Sequence, residues 1–485
     1  MNTRSSCVAP RGTVSRSGLI KGALLIGGVA LIFLAGCTVG PKYSRPAVPA
    51  PPSFRGADDA SVSGANAESL GDQKWAQVFH EPELQQLIST ALTNDFDVRI
   101  AAQRVLEQQA QLRITRSQEF PTVSVGGTGI GADLPSSLGS GLPSGTISAG
   151  SFNLSAAWTP DFWGLYRRQT EAARAQLLAQ EWAQRAVRLT VVQQVAVDYI
   201  QLRALDEQLA IAKETLKTRD QSVDLTRRLE EGGSVPLSDL REAEELRFTA
   251  SAQIPQLEQQ IQQQENALRL LLGQNPGPVA HTDPNALNPP PENLPVGLPS
   301  HLLERRPDIL EAEQQLIAAN AQIGVARAQF FPQLAISGSG GVGGDSWGNL
   351  FDPSGKLIYG IGSLTQPLFE GGKLRGQLQL SEQQKKELVI NYQKTIAGAF
   401  RDVSNALIAV NKERTAREQQ ARLVDAAQDA TRLARVRYQG GATSYLEVLT
   451  TDTNLFSAQL NLVTTQENEA LSLVQLYGAL GGGWD

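Results

Sequence analysis

Residues 165–231 read LYRRQTEAARAQLLAQEWAQRAVRLTVVQQVAVDYIQLRALDEQLAIAKETLKTRDQSVDLTRRLEE, 67 residues without a glycine or a proline. At about 1.5 Å per residue, such a run makes one unbroken helix on the order of 100 Å long. Pro160 and Gly164 stand before it, and Gly232, Gly233 and Pro236 end it. A second helical run, Leu240 to Leu272, turns back alongside. The plan then recurs: Leu374 to Gln439 is closed by Gly440 and Gly441, and a return run reaches Tyr477. Two long helical hairpins, each preceded by a pair of short strands, form the skeleton.

The rest of the chain fits a duplication. Phe120-Pro121-Thr122-Val123-Ser124-Val125 matches Phe331-Pro332-Gln333-Leu334-Ala335-Ile336 at an offset of 211, and Asp161-Phe162-Trp163 matches Pro367-Leu368-Phe369 at 206. Gly232-Gly233 matches Gly440-Gly441, and Leu272-Gly273 matches Leu480-Gly481, both at 208. Helical segments precede each strand pair, from Glu83 to Leu92, Val98 to Arg116, and Pro307 to Gln329. In the strand before the first hairpin, Phe152, Leu154, Ala156 and Trp158 alternate with Asn153, Ser155, Ala157 and Thr159, an apolar face against a small, polar one. Val123 and Val125 mark its partner strand, with a Gly/Ser/Pro loop predicted between them, roughly Gly131 to Ser148. Leu334 and Ile336 open the third strand. Leu357 to Gln366 gives the fourth, with poor alternation.

Four strands in lipid cannot stand alone. Each open edge leaves backbone groups unpaired in hydrocarbon at several kcal/mol each. Two edges cost on the order of tens of kcal/mol, more than the roughly 5–15 kcal/mol of a domain's whole stability. The sheet therefore closes with strands from other copies. Two copies make eight strands, a barrel that its own side chains fill, so three copies are the smallest assembly with a passage. Along the helices, Ile396, Phe400, Val403, Leu407 and Val410 recur at steps of four and three, as do Ile254, Leu257, Ile261, Leu268 and Leu271 on the return helix. These stripes fit either a helical tube or a solid coiled coil. Pro255 predicts a local kink.

The N-terminus carries an export signal. Arg11, Arg16 and Lys21 precede an apolar stretch, Gly22 to Leu34, which ends in Leu34-Ala35-Gly36-Cys37, small residues before a cysteine. Residues 1–36 are expected to be a lipoprotein signal peptide and Cys37 the lipidated first residue, held on a membrane at ~0.8 kcal/mol per buried methylene. Cys7 leaves with the signal, so no internal disulfide remains. The net charge of -6 loses four basic residues (Arg4, Arg11, Arg16 and Lys21) and no acidic one, giving -10. That argues against nucleic-acid partners. Residues 37–74 are expected to form an extended tether, proline-rich through Pro52. Residues 75–275 form the first repeat, 276–299 a Pro-rich linker and 300–485 the second repeat.

These residues carry a resemblance. Cys37-Thr38-Val39-Gly40-Pro41-Lys42-Tyr43 at the anchor, Trp75 through Leu84, Leu302-Leu303-Glu304-Arg305-Arg306-Pro307-Asp308-Ile309, Ala328-Gln329-Phe330-Phe331-Pro332 and Ala479-Leu480-Gly481-Gly482-Gly483-Trp484 are similar to the TolC-like outer-membrane efflux factors, specifically their OprM/NodT-type lipoprotein branch. The resemblance implies a mainly α fold with a small antiparallel β part. It also implies a homotrimer whose four strands per chain make a twelve-stranded outer-membrane barrel, continued by a periplasmic helical barrel in a Gram-negative envelope. The implied partners are a periplasmic adaptor and an inner-membrane RND-type transporter, which supplies the energy, so no cofactor is implied. Thr38, after the cysteine, implies sorting to outer-membrane lipid. The turns, with Gly232, Gly233, Ser234, Gly440, Gly441 and Ala442, fall where the family meets its adaptor. Tyr438 and Asp239 match a pair that closes the gate. Leu446 matches a constricting apolar position and Glu447 an acidic lumen position. Thr450 replaces a second acidic ring, which weakens the implied cation preference.

Catalytic chemistry is not legible. His80, His281 and His301 are far apart and form no metal-ligand pattern. Gly338, Gly340 and Gly343 fit G-x-G-x-x-G without a βαβ unit around them. The expected function is the exit duct of a tripartite pump for small molecules such as drugs. Alternatives are a duct for type I protein secretion or metal-ion efflux, and a lipid-anchored coiled-coil scaffold without a pore.

Overall fold

A computed structural model describes residues 38–56, 69–134, 145–280 and 295–484. The signal peptide, Cys37, residues 57–68 of the tether, His281 and most of the Pro-rich linker lie outside them. The elements run α1 (Trp75–Val78), α2 (Pro82–Asn94), α3 (Phe96–Ser117), β1 (Thr122–Leu134), β2 (Gly145–Trp158), α4 (Leu165–Glu231) and α5 (Leu237–Leu271). Then follow α6 (Pro299–Arg305), α7 (Pro307–Ala328), β3 (Gln333–Gly344), β4 (Lys356–Thr365), α8 (Lys373–Gln439) and α9 (Tyr445–Ala479). The long helices, α4 and α8, have 67 residues each and the return helices, α5 and α9, 35 each. Corresponding members start 208 apart (373 − 165 and 445 − 237). Helix α5 continues through Pro255.

The chain divides into two compact units. One gathers residues 38–44, 110–174 and 317–386 and holds a four-stranded antiparallel sheet in the order β1-β2-β3-β4. The register pairs Val123 with Ala156, Leu154 with Gly340 and Leu334 with Leu364. One face therefore carries Val123, Val125, Phe152, Leu154, Trp158, Ile336, Ile358 and Leu364, all exposed in the single chain. On the other face Ser124 meets Ser155 at 2.8 Å and Asn153 donates to Ser339 at 3.4 Å. Of the loop predicted over Gly131 to Ser148, 131–134 and 145–148 belong to the ladder, because backbone pairing carries strand ends that side chains do not mark, and 135–144 lie outside the described residues. The strands keep a different step from the 206 of the triplets that follow them, Asp161–Trp163 and Pro367–Phe369. Val123 pairs with Ala156 and Leu334 with Leu364, so β4 follows β2 by 208 (364 − 156). Gly164 and Gly372, both at positive φ (+83° and +87°) ahead of the long helices, keep that same 208 spacing.

In this unit the predicted tether is pinned. The Val39 amide donates to the Trp163 carbonyl at 3.0 Å, Arg168 Nε donates to the Val39 carbonyl, and Asn320 donates to the Pro41 carbonyl. Gly40 lies so close to Gly324 that a Cβ would sit 2.6 Å from its Cα. Residues 38–50 form no helix or strand, and Val39 to Pro41 are docked by these contacts, whereas Leu70–Asp72, inside the predicted tether, form a short 3₁₀ helix.

The other unit holds residues 45–109, 175–316 and 387–484. Its core joins Ile88, Val192, Val195, Tyr199, Leu268, Ile309, Ile396, Val403, Val474 and Tyr477, drawn from α2, α4, α5, α7, α8 and α9. The stripe of threes and fours on α8 lies in this core, with Phe400 packed against it. Phe54 is buried there too, its ring 6.3 Å from that of Phe400. Glu469, fully buried, takes Arg417 at 2.5 Å and Arg414 at 3.6 Å, so the stripes enclose charge as well as hydrocarbon. Phe54→Ala is expected to destabilise this unit by about 3–5 kcal/mol. The checks are the unfolding midpoint and faster proteolysis between residues 45 and 56.

Candidate functional site at the hairpin tips

Each long helix stops in the same way. Gly233 has φ +69° and Gly441 φ +71°. The Ser234 amide donates to Leu229 O and the Ala442 amide to Arg437 O, both at 2.8 Å, while the Gly233 and Gly441 amides close the inner bonds to Glu230 O and Tyr438 O. This is a Schellman ending, which needs a left-handed residue after the helix. A Cβ on either glycine would meet nothing within 4 Å, so conformation rather than space demands glycine there. Gly232, Gly233, Ser234, Gly440, Gly441 and Ala442 are all exposed.

Behind the turns four helices share a small core. Val223 of α4, Leu240 and Ala243 of α5, Ala434 of α8, and Tyr445 and Val448 of α9 are buried together, with Tyr438 and Leu449 against them. The rings of Tyr438 and Tyr445 meet edge to face at 5.2 Å. The structure brings Tyr438 and Asp239 together: the phenol donates to Asp239 Oδ2 at 3.3 Å, linking α8 of the second hairpin to α5 of the first. Burial, reinforced by the Asp239 carboxylate, pushes the Tyr438 phenol up to about 12.

A second, deeper lock was missed by sequence reasoning. Arg219 of α4 donates from Nε to Asp452 Oδ2 at 2.8 Å and from Nη1 to the Leu246 carbonyl at 2.7 Å. Arg435 of α8 reaches the other oxygen of Asp452 at 2.6 Å. The side chains of Arg219 and Asp452 are only 3% and 8% exposed, and the guanidinium lies 5.1 Å from the Phe456 ring centre. The available signal was Asp452 itself, standing on the stripe Tyr445, Val448, Asp452, Phe456 at steps of three, four and four.

The remaining predicted residues are not part of either lock. Leu446 is 60% exposed. Thr450 is exposed and bonds its own helix at Leu446 O. Glu447 is held by Arg437 Nη1 at 2.7 Å and by the Thr443 hydroxyl, so it is not a lone acid at the tip. Gly338, Gly340 and Gly343 lie inside β3 and pair with neighbouring strands, so they do not form a phosphate-cradling turn. Among the described residues, no group of three or more His, Cys, Asp and Glu is placed to hold a metal.

Comparison with known proteins agrees with this architecture. The outer membrane efflux protein family model matches residues 87–274 and 298–482. The chain is 37% identical over 467 residues to the probable efflux pump outer membrane protein TtgC of Pseudomonas putida, covering 95% of this chain and 96% of the relative. It is 35% identical over 453 residues to the cation efflux system protein CusC of Escherichia coli, covering 93% and 96%. The open state of the Neisseria gonorrhoeae MtrE outer membrane channel superposes with a TM-score of 0.82 at 29% identity, covering 93% of this chain and 99% of that one.

Asp452→Ala strands a buried Arg219 and is expected to cost about 3–5 kcal/mol in unfolding experiments. The exposed Thr450→Ala should stay within about 0.5 kcal/mol. The raised Tyr438 pKa fixes the sign of a pH effect. A phenol whose folded pKa exceeds its unfolded value near 10 contributes fully below pH 10, and the contribution is lost as pH rises towards 12. Ultraviolet difference titration of wild type against Tyr438→Phe should show one tyrosinate transition near pH 12.

Proposed function

Because this chain belongs to the outer membrane efflux protein family, and is an outer-membrane efflux channel of a Gram-negative cell, we propose that three copies close their sheets into one twelve-stranded barrel gated at the hairpin tips. The observation that supports this reading is the sheet β1-β2-β3-β4. It leaves one side of β1 and one side of β4 unpaired and presents an exposed apolar face. Such edges cannot end in hydrocarbon. With three copies, the apolar face meets lipid and the Ser/Asn face meets the lumen.

At the tips, three Tyr438–Asp239 contacts would tie the hairpins into the closed state, with three Leu446 side chains narrowing the passage. Glu447, already shared with Arg437 and Thr443, supplies a muted acidic ring, and Thr450 adds no charge. The exposed turns at Gly232, Gly233, Ser234, Gly440, Gly441 and Ala442 suit docking of a periplasmic adaptor, which would link the duct to an RND-type inner-membrane transporter. Energy enters through that transporter, so the duct needs no cofactor and catalyses nothing. Acylated Cys37, exposed by removal of residues 1–36, would add a lipid anchor beside Thr38. The cargo we propose is small organic molecules such as drugs and solvents, the class named for TtgC and its relatives in P. putida.

Purified protein in planar bilayers should give stepwise conductance, and Tyr438→Phe combined with Asp239→Ala should raise the open-channel conductance several-fold. Unchanged conductance would remove the gate assignment. Material that stays a single subunit on native mass measurement, with no steps at all, would overturn the channel assembly.

A further inference from the structure

The strand β4 departs from the pattern of the other three. On the Ser/Asn face, where β2 and β3 present Ser151, Asn153, Ser155, Ser337 and Ser339, β4 presents Leu357, Tyr359 and Ile361. These three are 62%, 47% and 55% exposed in the single chain. A lumen-facing wall has no use for a row of bare aliphatic and aromatic side chains. The opposite edge strand breaks the pattern as well: β1 carries Ile130 on that same face, 58% exposed. Among the residues whose side chains are described, these exceptions are on strands with an unpaired edge, although the register also puts Ile147 of β2 on that face.

The internal repeat supplies a template for what covers them. Within one chain the repeats join where β2 meets β3, with Asn153 opposite Gly341, Ser151 opposite Gly343 and Ser155 opposite Ser339. The match of Phe120–Val125 with Phe331–Ile336 maps β3 to β1 by subtracting 211 (Leu334 to Val123), and the ladder then maps β2 to β4 by adding 208 (Ala156 to Leu364). Carrying the join over puts 153 + 208 = 361 opposite 341 − 211 = 130, so Ile361 faces Ile130. The same sums put Tyr359 opposite Ala132 and Ser363 opposite Thr128. Apolar residues meet apolar ones and hydroxyls meet hydroxyls. A join two residues out of step sets Ile361 against Thr128 and Tyr359 against Ile130, which leaves an isoleucine facing a hydroxyl. Repeat geometry and side-chain chemistry are separate arguments, and they select the same register.

We propose that β4 of one copy pairs antiparallel with β1 of a second copy in the register Ile361–Ile130, and that the apolar row on β4 is the inner seam of this subunit interface. The seam rests on the three-copy closure proposed above and specifies it residue by residue. Ile361 and Ile130 interlock at each of three seams on the lumen side, where Tyr359 covers the small Ala132. On the lipid side of the same join Gly360 faces Gly131 and Gly362 faces Gly129, so at the centre of the seam the inner row supplies the side chains that pack, with Ile358 and Leu364 of β4 flanking it on the lipid side.

Paired cysteines test the register. Directly opposite residues have Cα atoms about 4.5–5.5 Å apart, within disulfide reach, whereas diagonal neighbours lie about 7–8 Å apart, beyond it. In full-length protein in outer membranes, Ile361→Cys with Ile130→Cys should oxidise to a covalent trimer on denaturing reducing-agent-free gels. Ile361→Cys with Thr128→Cys, or with Ala132→Cys, should give at least tenfold less, and each single variant none. Strong linking through the Thr128 or Ala132 pair instead overturns the register. Native trimers in which no pair links also overturn it, while leaving three-copy assembly standing. Absence of trimers in the unmodified protein defeats the assembly itself. Should the cysteine pair fail to assemble, Ile130→Val and Ile361→Val, singly and together, replace it. Their shifts in the temperature of trimer dissociation should be non-additive, and additive shifts would sink the seam.

Discussion

A strand edge in hydrocarbon has no water to bond its amides and carbonyls, and that constraint governs this protein. The sheet has four strands, and every internal ladder is satisfied. Its two outer edges are not. The chain has no remaining strand to offer among the described residues, and no helix in them is long and apolar enough to cross a membrane by itself. In the three-copy closure proposed above these edges pair with those of other copies, and the duplication supplies a template for the join. A join that works between β2 and β3 can be used again between β4 and β1. The same edges that make one copy incomplete make several copies fit.

The second constraint is the approach of backbone to backbone without side chains between. Gly40 lies against Gly324, and Thr38 lies against Gly164, where a Cβ would come within about 3.0 Å of the threonine. These contacts hold the chain segment that begins next to Cys37. Further along, Phe54 is buried in the helical core and Asn411 donates to the Gly56 carbonyl at 3.0 Å. A segment whose prolines announce only extension is thus given a fixed course by glycine gaps and one aromatic anchor.

What the sequence disclosed follows from which interactions are local. Helix ends were legible to within three residues because Gly232, Gly233, Gly440 and Gly441 act on the backbone beside them. Strand faces were legible where Phe152, Leu154 and Trp158 alternate with polar neighbours. Strand ends were not, since the glycines and serines near 131–134 and 145–148 are held by the ladder rather than by side chains. The repeat was evident, yet the 206 step of the triplets after β2 and β4 differs by two from the 208 between the strands themselves. Similar triplets are a weaker guide than a hydrogen-bonded register. Tyr438 and Asp239 were found through family likeness, because nothing local marks two residues 199 positions apart. Arg219 and Asp452, 233 apart, had no such guide and look like any other charges on long helices.

The two locks at the tips differ in kind, and the difference bears on how a gate can move. Asp452 is enclosed, bonded to two guanidiniums at 2.8 and 2.6 Å, and separating it exposes unpaired charge in a dry site. The Tyr438–Asp239 bond is longer, at 3.3 Å, lies in a partly exposed pair beside the turn, and can exchange its partner for water at little cost. In the gate proposed above, a neutral phenol donating to a carboxylate at the rim is the contact that would yield first. The buried Arg219–Asp452 pair, joined by the partly exposed Arg435, links α4, α8 and α9 one layer deeper and would hold them together meanwhile. Polar locks suit a part that must open, because each has a solvated alternative that an apolar core lacks. In that proposed gate, placing the weaker one outermost would let the tips part without unpacking the helices behind them.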